Sequence, residues 1–334
     1  MTIQVRAVIP SDRVRINAWL AAADLHWPPG QGFVVLAANG SVAAVARLGE
    51  PTPGDGHHRE HVRTLVAEGE PAALAACVAA AAEHWDGRIE ATVTPRSSAL
   101  REALASAGIK REVTLTRGWS DDDGSLVDLE LWGRGRGTDP PEGASPKPAK
   151  SRRRTSKARP PIEGIGVGWH RPATRKLLAR FLQGLVPGRS YPPGALLSEA
   201  ERIETGRRGV LDAPWILALA RDADGDAEVV GGLAFDREPG LERSHVRRLH
   251  LDVAVAWQRR GIAAGMLNLA RDGARARLGA LVLESDPRAG NIGACSALAA
   301  AGFEQVGIQR GAWRMRGAGR SWDEDVILFR CDTK

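Results

Sequence analysis

The sequence predicts an α/β protein (of the α+β type) with two mixed-sheet domains joined by a flexible basic linker. The chain has 334 residues, about twice the length of an average domain. Short apolar runs alternate with helical patterns in its second half. The segment Gly133–Pro161 has almost no large apolar residues, so it cannot bury enough surface to offset its ordering entropy. We therefore assign residues 1–132 and 162–334 to the domains and residues 133–161 to the linker.

The positive charge of the chain is concentrated in this linker. Gly133–Pro161 holds nine Lys and Arg residues and two acidic residues, a net charge of +7, whereas the whole chain has a net charge of +6. The domains are therefore close to neutral, which disfavours nucleic-acid binding by their folded surfaces. The linker fits either a solvated spacer or a polyanion-binding segment around Arg152–Arg154.

Composition also indicates the cellular compartment. No apolar run approaches the ~20 residues that span a bilayer, and the N-terminal residues lack the layout of a secretory signal. The three cysteines, Cys77, Cys295 and Cys331, are scattered, so no disulfide framework is expected. We expect a cytoplasmic protein with no membrane partner.

Each element of the second half follows from a local pattern. Apolar or alternating runs predict the strands Trp215–Ala220, Glu228–Phe235, Val246–Val253, Ala280–Glu284, Phe303–Gln309 and Val326–Cys331. Apolar periodicity predicts helices at Ala264–Arg277 and from the N-cap residue Asn291 to Gly302. This order of strands and helices predicts a mixed sheet with helices packed against it.

The segment Gln258-Arg259-Arg260-Gly261-Ile262-Ala263 lies where a predicted strand passes into a helix. The first turn of a helix leaves its N–H groups unpaired and carries partial positive charge, so it suits a pyrophosphate. Gly261 lets the backbone come close to such a ligand, and Arg259 and Arg260 add positive charge. Taken alone, the pattern also fits an ordinary helix start.

In its context the segment resembles the GNAT superfamily of acyl-CoA-dependent N-acyltransferases. The superfamily signature Q/R-x-x-G-x-G/A is matched by Gln258, Gly261 and Ala263. A later N-x-x-A…G-F stretch is matched by Asn291, Ala294, Gly302 and Phe303. The resemblance covers about residues 162–331 and specifies the cofactor far better than the acceptor.

The resemblance implies acetyl-CoA or another acyl-CoA as co-substrate and no metal. The N–H groups around Arg259–Ala263 would bind the CoA pyrophosphate, and the strand around Val253–Val255 would pair with the pantetheine arm. The Val253 N–H would polarise the thioester carbonyl. The implied cofactor-binding residues are Val253, Ala254, Val255, Gln258, Arg259, Arg260, Gly261, Ile262, Ala263 and Asn291.

Asp252 and His250, on the strand before this segment, are candidate general bases. Each also fits an ordinary polar strand residue. Leu298 stands where the superfamily often has a tyrosine that protonates the leaving thiolate, but a thiol with a pKa near ~8.5 can leave without this acid. Cys295 lies within a predicted helix with no evident base, and we expect it to be structural.

Two groups near the C-terminus could contact an acceptor. Asp323, Glu324 and Asp325 fit an anchor for a cationic acceptor, although an exposed acidic turn is favoured. Trp313 and Trp322 fit the wall of an acceptor pocket or ordinary core packing.

The first half of the chain resembles a degenerate copy of the second. Ser97–Gly108 matches Asn291–Gly302 at an offset of 194 residues, which predicts a second GNAT-like domain. Between the predicted strand His61–Val66 and the predicted helix Ala72–His84, Glu68 and Glu70 replace the two arginines and would oppose CoA. The nearby histidines fit a solvated loop better than a metal site; they are His57, His58 and His61.

Together these features predict a tandem-domain N-acetyltransferase, or a related acyltransferase, with a competent C-terminal domain. A small-molecule amine, such as a metabolite or an antibiotic, is the favoured acceptor because the near-neutral domains suggest no protein-docking patch. One alternative is an aminoacyl-tRNA-dependent transferase, in which the basic linker would hold RNA. The other is a non-catalytic CoA-binding or scaffold protein, which Leu298 and the degenerate first half would favour.

Overall fold

The computed structural model describes residues 5–22, 30–49, 61–94, 97–121, 123–135, 165–184, 214–221, 226–237, 243–317 and 320–334. The strands are β1 (Val5–Ala7), β2 (Gly30–Leu36), β3 (Val42–Gly49), β4 (Val62–Gly69), β5 (Arg88–Val93), β6 (Lys110–Ser120), β7 (Leu126–Arg134), β8 (Ile165–Trp169), β9 (Trp215–Arg221), β10 (Ala227–Arg237), β11 (Val246–Val253), β12 (Val282–Ser285), β13 (Glu304–Gly317) and β14 (Arg320–Asp332). The helices are α1 (Arg13–Ala22), α2 (Pro71–His84), α3 (Ser98–Ser106), α4 (Arg175–Gly184), α5 (Ile262–Leu278) and α6 (Ile292–Ala300). The mixed α/β class is confirmed.

The chain divides into two compact units. The first contains β1–β7, α1–α3 and residues 307–317 and 320–326. The second contains β8–β12, α4–α6 and residues 327–334. The expected C-terminal domain, residues 162–334, differs from the second unit in this one region, because most of β13 and the start of β14 belong to the first unit.

The first unit is a mixed sheet in the order β1-β2-β3-β4-β5-β7-β6. Strands β4 and β5 are parallel, and the other pairs are antiparallel. Helix α2 buries Leu74, Cys77 and Val78 in the main core of this unit. A smaller cluster joins Ile16 of α1 to Val34 and Val45. Burial of apolar side chains in these two layers supplies the main stabilisation of the unit.

The second unit repeats this arrangement in the order β8-β9-β10-β11-β12-β14. Strands β11 and β12 are its parallel pair. Helices α5 and α6 join one core cluster through Met266, Leu267 and Leu298, whereas α4 packs through Leu178 and Phe181 into another. The two clusters lie on opposite faces of the sheet, as two adjacent glycines of β10 show. A Cβ on Gly231 would meet Met266 of α5, and a Cβ on Gly232 would meet Phe181 of α4.

The two halves share their element spacing. The elements β5, α3, β6 and β7 begin at residues 88, 98, 110 and 126. Their counterparts β12, α6, β13 and β14 begin at residues 282, 292, 304 and 320, in each case 194 residues later. The offset seen in the sequence is therefore also present in the fold.

Some element boundaries differ from those expected. Gly133 and Arg134, assigned to the linker, belong to β7, because Gly133 is paired with Glu90 of β5 on one side and Lys110 of β6 on the other. The rest of the expected linker from residue 136 to 161 lies outside the described residues, as do His57 and His58. Among the helices of the described ranges, none is long and apolar enough to cross a membrane.

Candidate functional site

The parallel strands β11 and β12 separate after a short stretch of pairing. Their register contains three pairs and ends with Arg248 opposite Glu284. Strand β11 continues to Val253, whereas β12 ends at Ser285. Along Leu251–Val253, the edge of β11 that faces β12 therefore has no strand partner among the described residues. We call the place where the pairing of β11 and β12 ends the gap.

Backbone N–H groups of β11 point into this gap. The Ala254 N–H donates to the Val230 carbonyl at 2.9 Å, so these two residues form a hydrogen-bonded pair between β11 and β10. Hydrogen-bonding directions alternate along an antiparallel strand. The N–H groups of Leu251 and Val253 consequently point away from β10 and towards the gap. Val253, the expected oxyanion donor, is thus on the unpaired edge.

Strand β11 ends at Val253, as the sequence predicts. Ala254 and Val255, which the resemblance places on the strand beside the pantetheine arm, lie beyond its end, because Val255–Trp257 forms a 3₁₀ turn. The Ala254 N–H is already bonded to Val230 and so is not a donor for a ligand. Gln258 Nε2 donates to the Val253 carbonyl at 3.1 Å, which fastens the loop to the end of the strand.

Gly261 occupies the N-cap position of α5 with φ +80°. This left-handed conformation favours glycine, and a Cβ at Gly261 would meet no atom within 4 Å. The N–H groups of Ile262, Ala263 and Ala264 have no acceptor within the helix, as in any first helical turn. Because Gly261 has no side chain to cap them, the positive end of α5 lies open towards a ligand.

The loop before Gly261 carries positive charge and backbone strain. Arg259 has φ +60°, which in a residue other than glycine costs on the order of 1–3 kcal/mol. Arg259 and Arg260 are exposed, and the Arg260 guanidinium lies 4.8 Å from the centre of the Trp257 ring. Strain of this kind is typical of ligand-binding loops, and both charges suit an anion.

Exposed apolar side chains follow both strands of the gap. Val255, just after β11, is 78% exposed, and Ile292, at the start of α6, is 52% exposed. Ends of adjacent parallel strands share one edge of a sheet, where ligands of open α/β sheets bind. These two side chains therefore offer apolar contact area at the same edge as the open end of α5.

Asn291 is the N-cap of α6, as expected. Its Oδ1 accepts a hydrogen bond from the Ala294 N–H at 3.2 Å. With the oxygen engaged as the acceptor of the cap, the side-chain amide nitrogen remains as a donor for a ligand.

The two candidate bases share the sheet face that α5 does not cover. Asp252 is paired with Gly232, whose missing side chain would point to Phe181 of α4. His250 lies two residues earlier on the same face, and its Nε2 is 3.7 Å from Asp236 Oδ2. Both residues are half-buried, so the face next to the gap is polar.

The side chains of α6 supply neither an acid nor a nucleophile. Leu298, at the position of the superfamily tyrosine, is 2% exposed and belongs to the core. Cys295 is half-buried, with Sγ 3.8 Å from the Arg288 carbonyl. Burial raises the pKa of the Cys295 thiol, which lowers its thiolate fraction and favours the expected structural role.

The acidic residues near the C-terminus are not an exposed turn. Asp323 is buried within β14 and accepts a hydrogen bond from Arg314 Nε at 2.9 Å. Asp325 accepts one from the Gly311 N–H at 2.9 Å. Trp313 is buried, and it belongs to the first unit together with Trp322 and these acidic residues. Strand formation and ion pairing therefore account for these carboxylates.

The first unit lacks the loop that precedes α5. Strand β4 runs on to Gly69, rather than ending at Val66, because Ala67, Glu68 and Gly69 pair with β3. Glu70 is the N-cap of α2, and Pro71, with no N–H group, is its first residue. Gly69 has φ +148° and lies so close to β3 that a Cβ would be 2.6 Å from the Ala43 carbonyl oxygen. The strand passes straight into the helix, with a carboxylate at the helix start.

His61 is buried and does not belong to a solvated loop. Its Nε2 lies 2.9 Å from the Gly311 carbonyl oxygen and 3.8 Å from Asp323 Oδ1. No group of three or more His, Cys, Asp and Glu side chains suited to a metal ion occurs within the described ranges.

Comparison with protein-family models and with curated proteins finds no match. Solved structures do match. A GNAT-family acetyltransferase from Streptococcus pneumoniae is 18% identical over 51% of this chain and 99% of its own, with a TM-score of 0.39. Another GNAT-family acetyltransferase, from Bacillus anthracis, is 10% identical over 51% and 95%, with a TM-score of 0.38. A Salmonella typhimurium protein solved with its cofactor acetyl-CoA is 15% identical over 51% and 95%, with a TM-score of 0.40.

Proposed function

We propose that the chain is an acyl-CoA-dependent N-acyltransferase of the GNAT type. Its second unit would transfer an acetyl or another short acyl group to a primary amine of a small molecule in the cytoplasm. One observation carries the proposal: two sets of backbone donors lie on either side of a single short loop. One set is the N–H groups of Leu251 and Val253 on the edge of β11 that faces the gap. The other set is the N–H groups in the first turn of α5, directly after Gly261.

The residues of this region fit the parts of acyl-CoA. The N–H groups of Ile262–Ala264 would bind the pyrophosphate, and the charges of Arg259 and Arg260 would strengthen that binding. The edge of β11 would hold the extended pantetheine arm, which carries amide groups of its own. Val255 and Ile292 would contact its apolar parts. When bound, acyl-CoA supplies an activated acyl group with sulfur as the leaving atom.

The Val253 N–H would stabilise the oxyanion that forms when an amine attacks the thioester. The amine nitrogen forms a bond to the carbonyl carbon and gives one proton to a base, for which Asp252 and His250 are the candidates. The C–S bond breaks, and sulfur leaves with its electron pair as thiolate. A single oxyanion donor of this kind contributes roughly 10²–10³ in rate. Since Leu298 cannot donate a proton, the thiolate would leave unprotonated, as its pKa of about 8.5 permits.

The acceptor is proposed to be a small-molecule amine, such as a metabolite or an antibiotic. The net charge of the chain outside residues 133–161 is close to zero, which supports neither a nucleic acid nor an oppositely charged protein surface as the partner of the folded units.

Thiol release from acetyl-, propionyl- and succinyl-CoA tests the proposal. The acceptors form an amine panel of spermidine, an aminoglycoside and phosphinothricin. We expect release of free thiol that depends on at least one amine. Wild-type protein that binds acetyl-CoA but releases no thiol with any amine would contradict the transferase and support a non-catalytic CoA-binding protein, which the buried Leu298 favours.

A matched pair of variants tests the position of the site. Asn and Asp tolerate the left-handed conformation of Gly261 better than other side chains, and they differ by one negative charge. We expect Gly261→Asn to bind acetyl-CoA within a few-fold of wild type, and Gly261→Asp at least tenfold more weakly than Gly261→Asn, because its carboxylate would face the pyrophosphate. Equal affinity of the two variants would place the pyrophosphate elsewhere.

The aminoacyl-tRNA alternative makes different predictions. Activity would then fall steeply with salt concentration and would be lost on deletion of Arg152–Arg154, while Gly261→Asp would remain active. The transferase proposed above is indifferent to that deletion.

A further inference from the structure

The gap between β11 and β12 has a closed end, at which the two strands are still paired. The last pair of their parallel register is Arg248 with Glu284. Strand β12 stays on its other neighbour beyond this pair. Ser285 is still paired with β14, and the Ile327 N–H donates to the Pro287 carbonyl at 2.9 Å. Strand β12 therefore leaves β11 while it keeps β14, and Ser285 is the residue at which this happens.

The hydroxyl group of Ser285 crosses this closed end. Its Oγ donates a hydrogen bond to the Leu249 carbonyl oxygen at 3.3 Å. Because hydrogen-bonding directions alternate along β11, this carbonyl points to the same side as the N–H groups of Leu251 and Val253. In a continued parallel ladder, the Asp286 N–H would be the next donor to this oxygen. The hydroxyl takes the place of that donor, and the backbone pairing stops here.

An ion pair joins the two strands on the opposite face of the sheet. The side chain of Arg248 lies 3.9 Å from that of Asp286, and both are about one-third exposed, so solvent and salt screen their attraction. Leu283, two residues before Ser285, belongs to the core that α5 and α6 cover, which places Ser285 on that face. The closed end thus has one contact on each face, and the hydrogen bond of Ser285 is the contact that salt does not weaken.

The first unit has the same ladder without this hydroxyl. Its parallel strands β4 and β5 also form three pairs, of which the last is Thr64 with Glu90. At the offset of 194 residues, Ala91 stands at the position of Ser285, and it is buried in the core. The strands therefore part without help from a hydroxyl. The unit with the open helix start is the one in which a side chain fixes the point of parting.

We propose that Ser285 is a positioning residue for the arm of acyl-CoA, because its hydroxyl holds the closed end of the gap at the Leu249 carbonyl. This inference rests on the proposed function and adds to it a residue that acts through the backbone of β11. With the hydroxyl in place, the N–H groups of Leu251 and Val253 stay available to a ligand. Without it, the Asp286 N–H can pair with the Leu249 carbonyl, and the gap becomes shorter. The arm would enter from the start of α5, so its acyl end would lie nearest to Ser285.

Two ligands separate the arm from the pyrophosphate. Calorimetric titration of the full chain compares acetyl-CoA with 3′-phosphoadenosine 5′-diphosphate, which is CoA without its pantetheine arm. We expect Ser285→Ala to bind acetyl-CoA about tenfold more weakly than wild type, and the armless ligand within twofold, because the start of α5 lies at the other end of the gap. Ser285→Thr keeps the hydroxyl and suits a strand, so it should bind acetyl-CoA within threefold of wild type. Ser120→Ala, at the half-buried end of β6, is the matched control and should change neither affinity.

Hydrogen exchange of the ligand-free chain tests the hydrogen bond itself. The Leu249 N–H faces β12 beside the last pair of the ladder, so it should exchange about tenfold faster in Ser285→Ala and at the wild-type rate in Ser285→Thr. An unchanged exchange rate in Ser285→Ala would show that the hydroxyl does not hold the closed end.

The binding data can overturn the proposal in two ways. Ser285→Ala that binds acetyl-CoA within twofold of wild type would show that the arm does not depend on Ser285. An equal loss of affinity for acetyl-CoA and for the armless ligand would show a general disturbance of the second unit. Failure of the proposed function is distinct, because wild type itself would then bind no acetyl-CoA or release no thiol.

Discussion

The side-chain amide nitrogen of Gln258 lies 3.1 Å from the backbone carbonyl oxygen of Val253 and donates a hydrogen bond to it. Val253 ends β11, and Gln258 precedes Gly261, the N-cap of α5, by three residues. This bond therefore fixes the open start of the helix relative to the unpaired edge of the strand. The first residue of the sequence motif thus has a structural role in shaping the loop.

Removing this hydrogen bond should weaken acyl-CoA binding. Gln258→Leu keeps most of the side-chain volume but cannot donate a hydrogen bond. The free energy that holds the loop in its binding conformation should therefore fall by about 1 kcal/mol. We expect the affinity for acetyl-CoA to fall about fivefold, with no change in Tm because Gln258 is exposed. Calorimetric titration beside a thermal melt measures both quantities. Unchanged affinity would show that the bond does not hold the site.

Each chain should bind a single acyl-CoA. In the first unit, Glu70 stands at the start of α2 and Pro71 removes one of its N–H groups, so the pyrophosphate has no counterpart site there. Calorimetry should give a stoichiometry near one. The replacement of Glu68 and Glu70 by Arg should not restore binding in a Gly261→Asp background. A stoichiometry of two would contradict this difference between the units.

The position of Leu298 should not accept the superfamily tyrosine. Leu298 is buried in the core with Met266 and Leu267, so Leu298→Tyr adds volume to a packed site and buries a hydroxyl. We expect the variant to lose about 1–3 kcal/mol of stability without a higher kcat. Urea unfolding and thiol release check the two parts. A faster and equally stable variant would show that this site reaches the leaving thiolate.

The stability of the first unit should depend on pH through Asp12. The hydrogen bonds from Arg6 and then from the Ile9 N–H hold the pKa of Asp12 at about 2, below its ordinary 3.8. A lowered carboxyl pKa stabilises the fold above pH 3.8, and this stabilisation is lost as the pH falls through about 2. Asp12→Asn should lower the free energy of unfolding at pH 7 by on the order of 1–2 kcal/mol, since Arg6 is partly exposed.

Urea unfolding at two pH values tests this dependence. The difference between wild type and Asp12→Asn should shrink by roughly half between pH 7 and pH 3. A difference that stays constant over this range would show that the ion pair does not contribute through its charge.

Local signals predicted the elements around the candidate site well. The bounds of β11 agree with the structure because its residues alternate between polar and apolar along their length. Asn291 was recognisable as an N-cap because its side chain acts on the next turn of its own helix. Helix α5 begins at Ile262, directly behind the glycine that the motif marks.

Features decided by distant contacts were not predictable from the sequence. Asp323 looks like part of an exposed acidic turn until Arg314 and His61 are placed beside it. Asp236 could not be connected with His250 without the register of β10 and β11. Pairing across strands is set by tertiary structure, which a local pattern does not record.

A structure of the chain with bound CoA tests the central claim most directly. The account predicts the pyrophosphate within hydrogen-bond distance of the N–H groups of Ile262–Ala264, and the pantetheine arm along the free edge of β11 at Leu251–Val253. A pyrophosphate at any other place, including the start of α2 in the first unit, would contradict it.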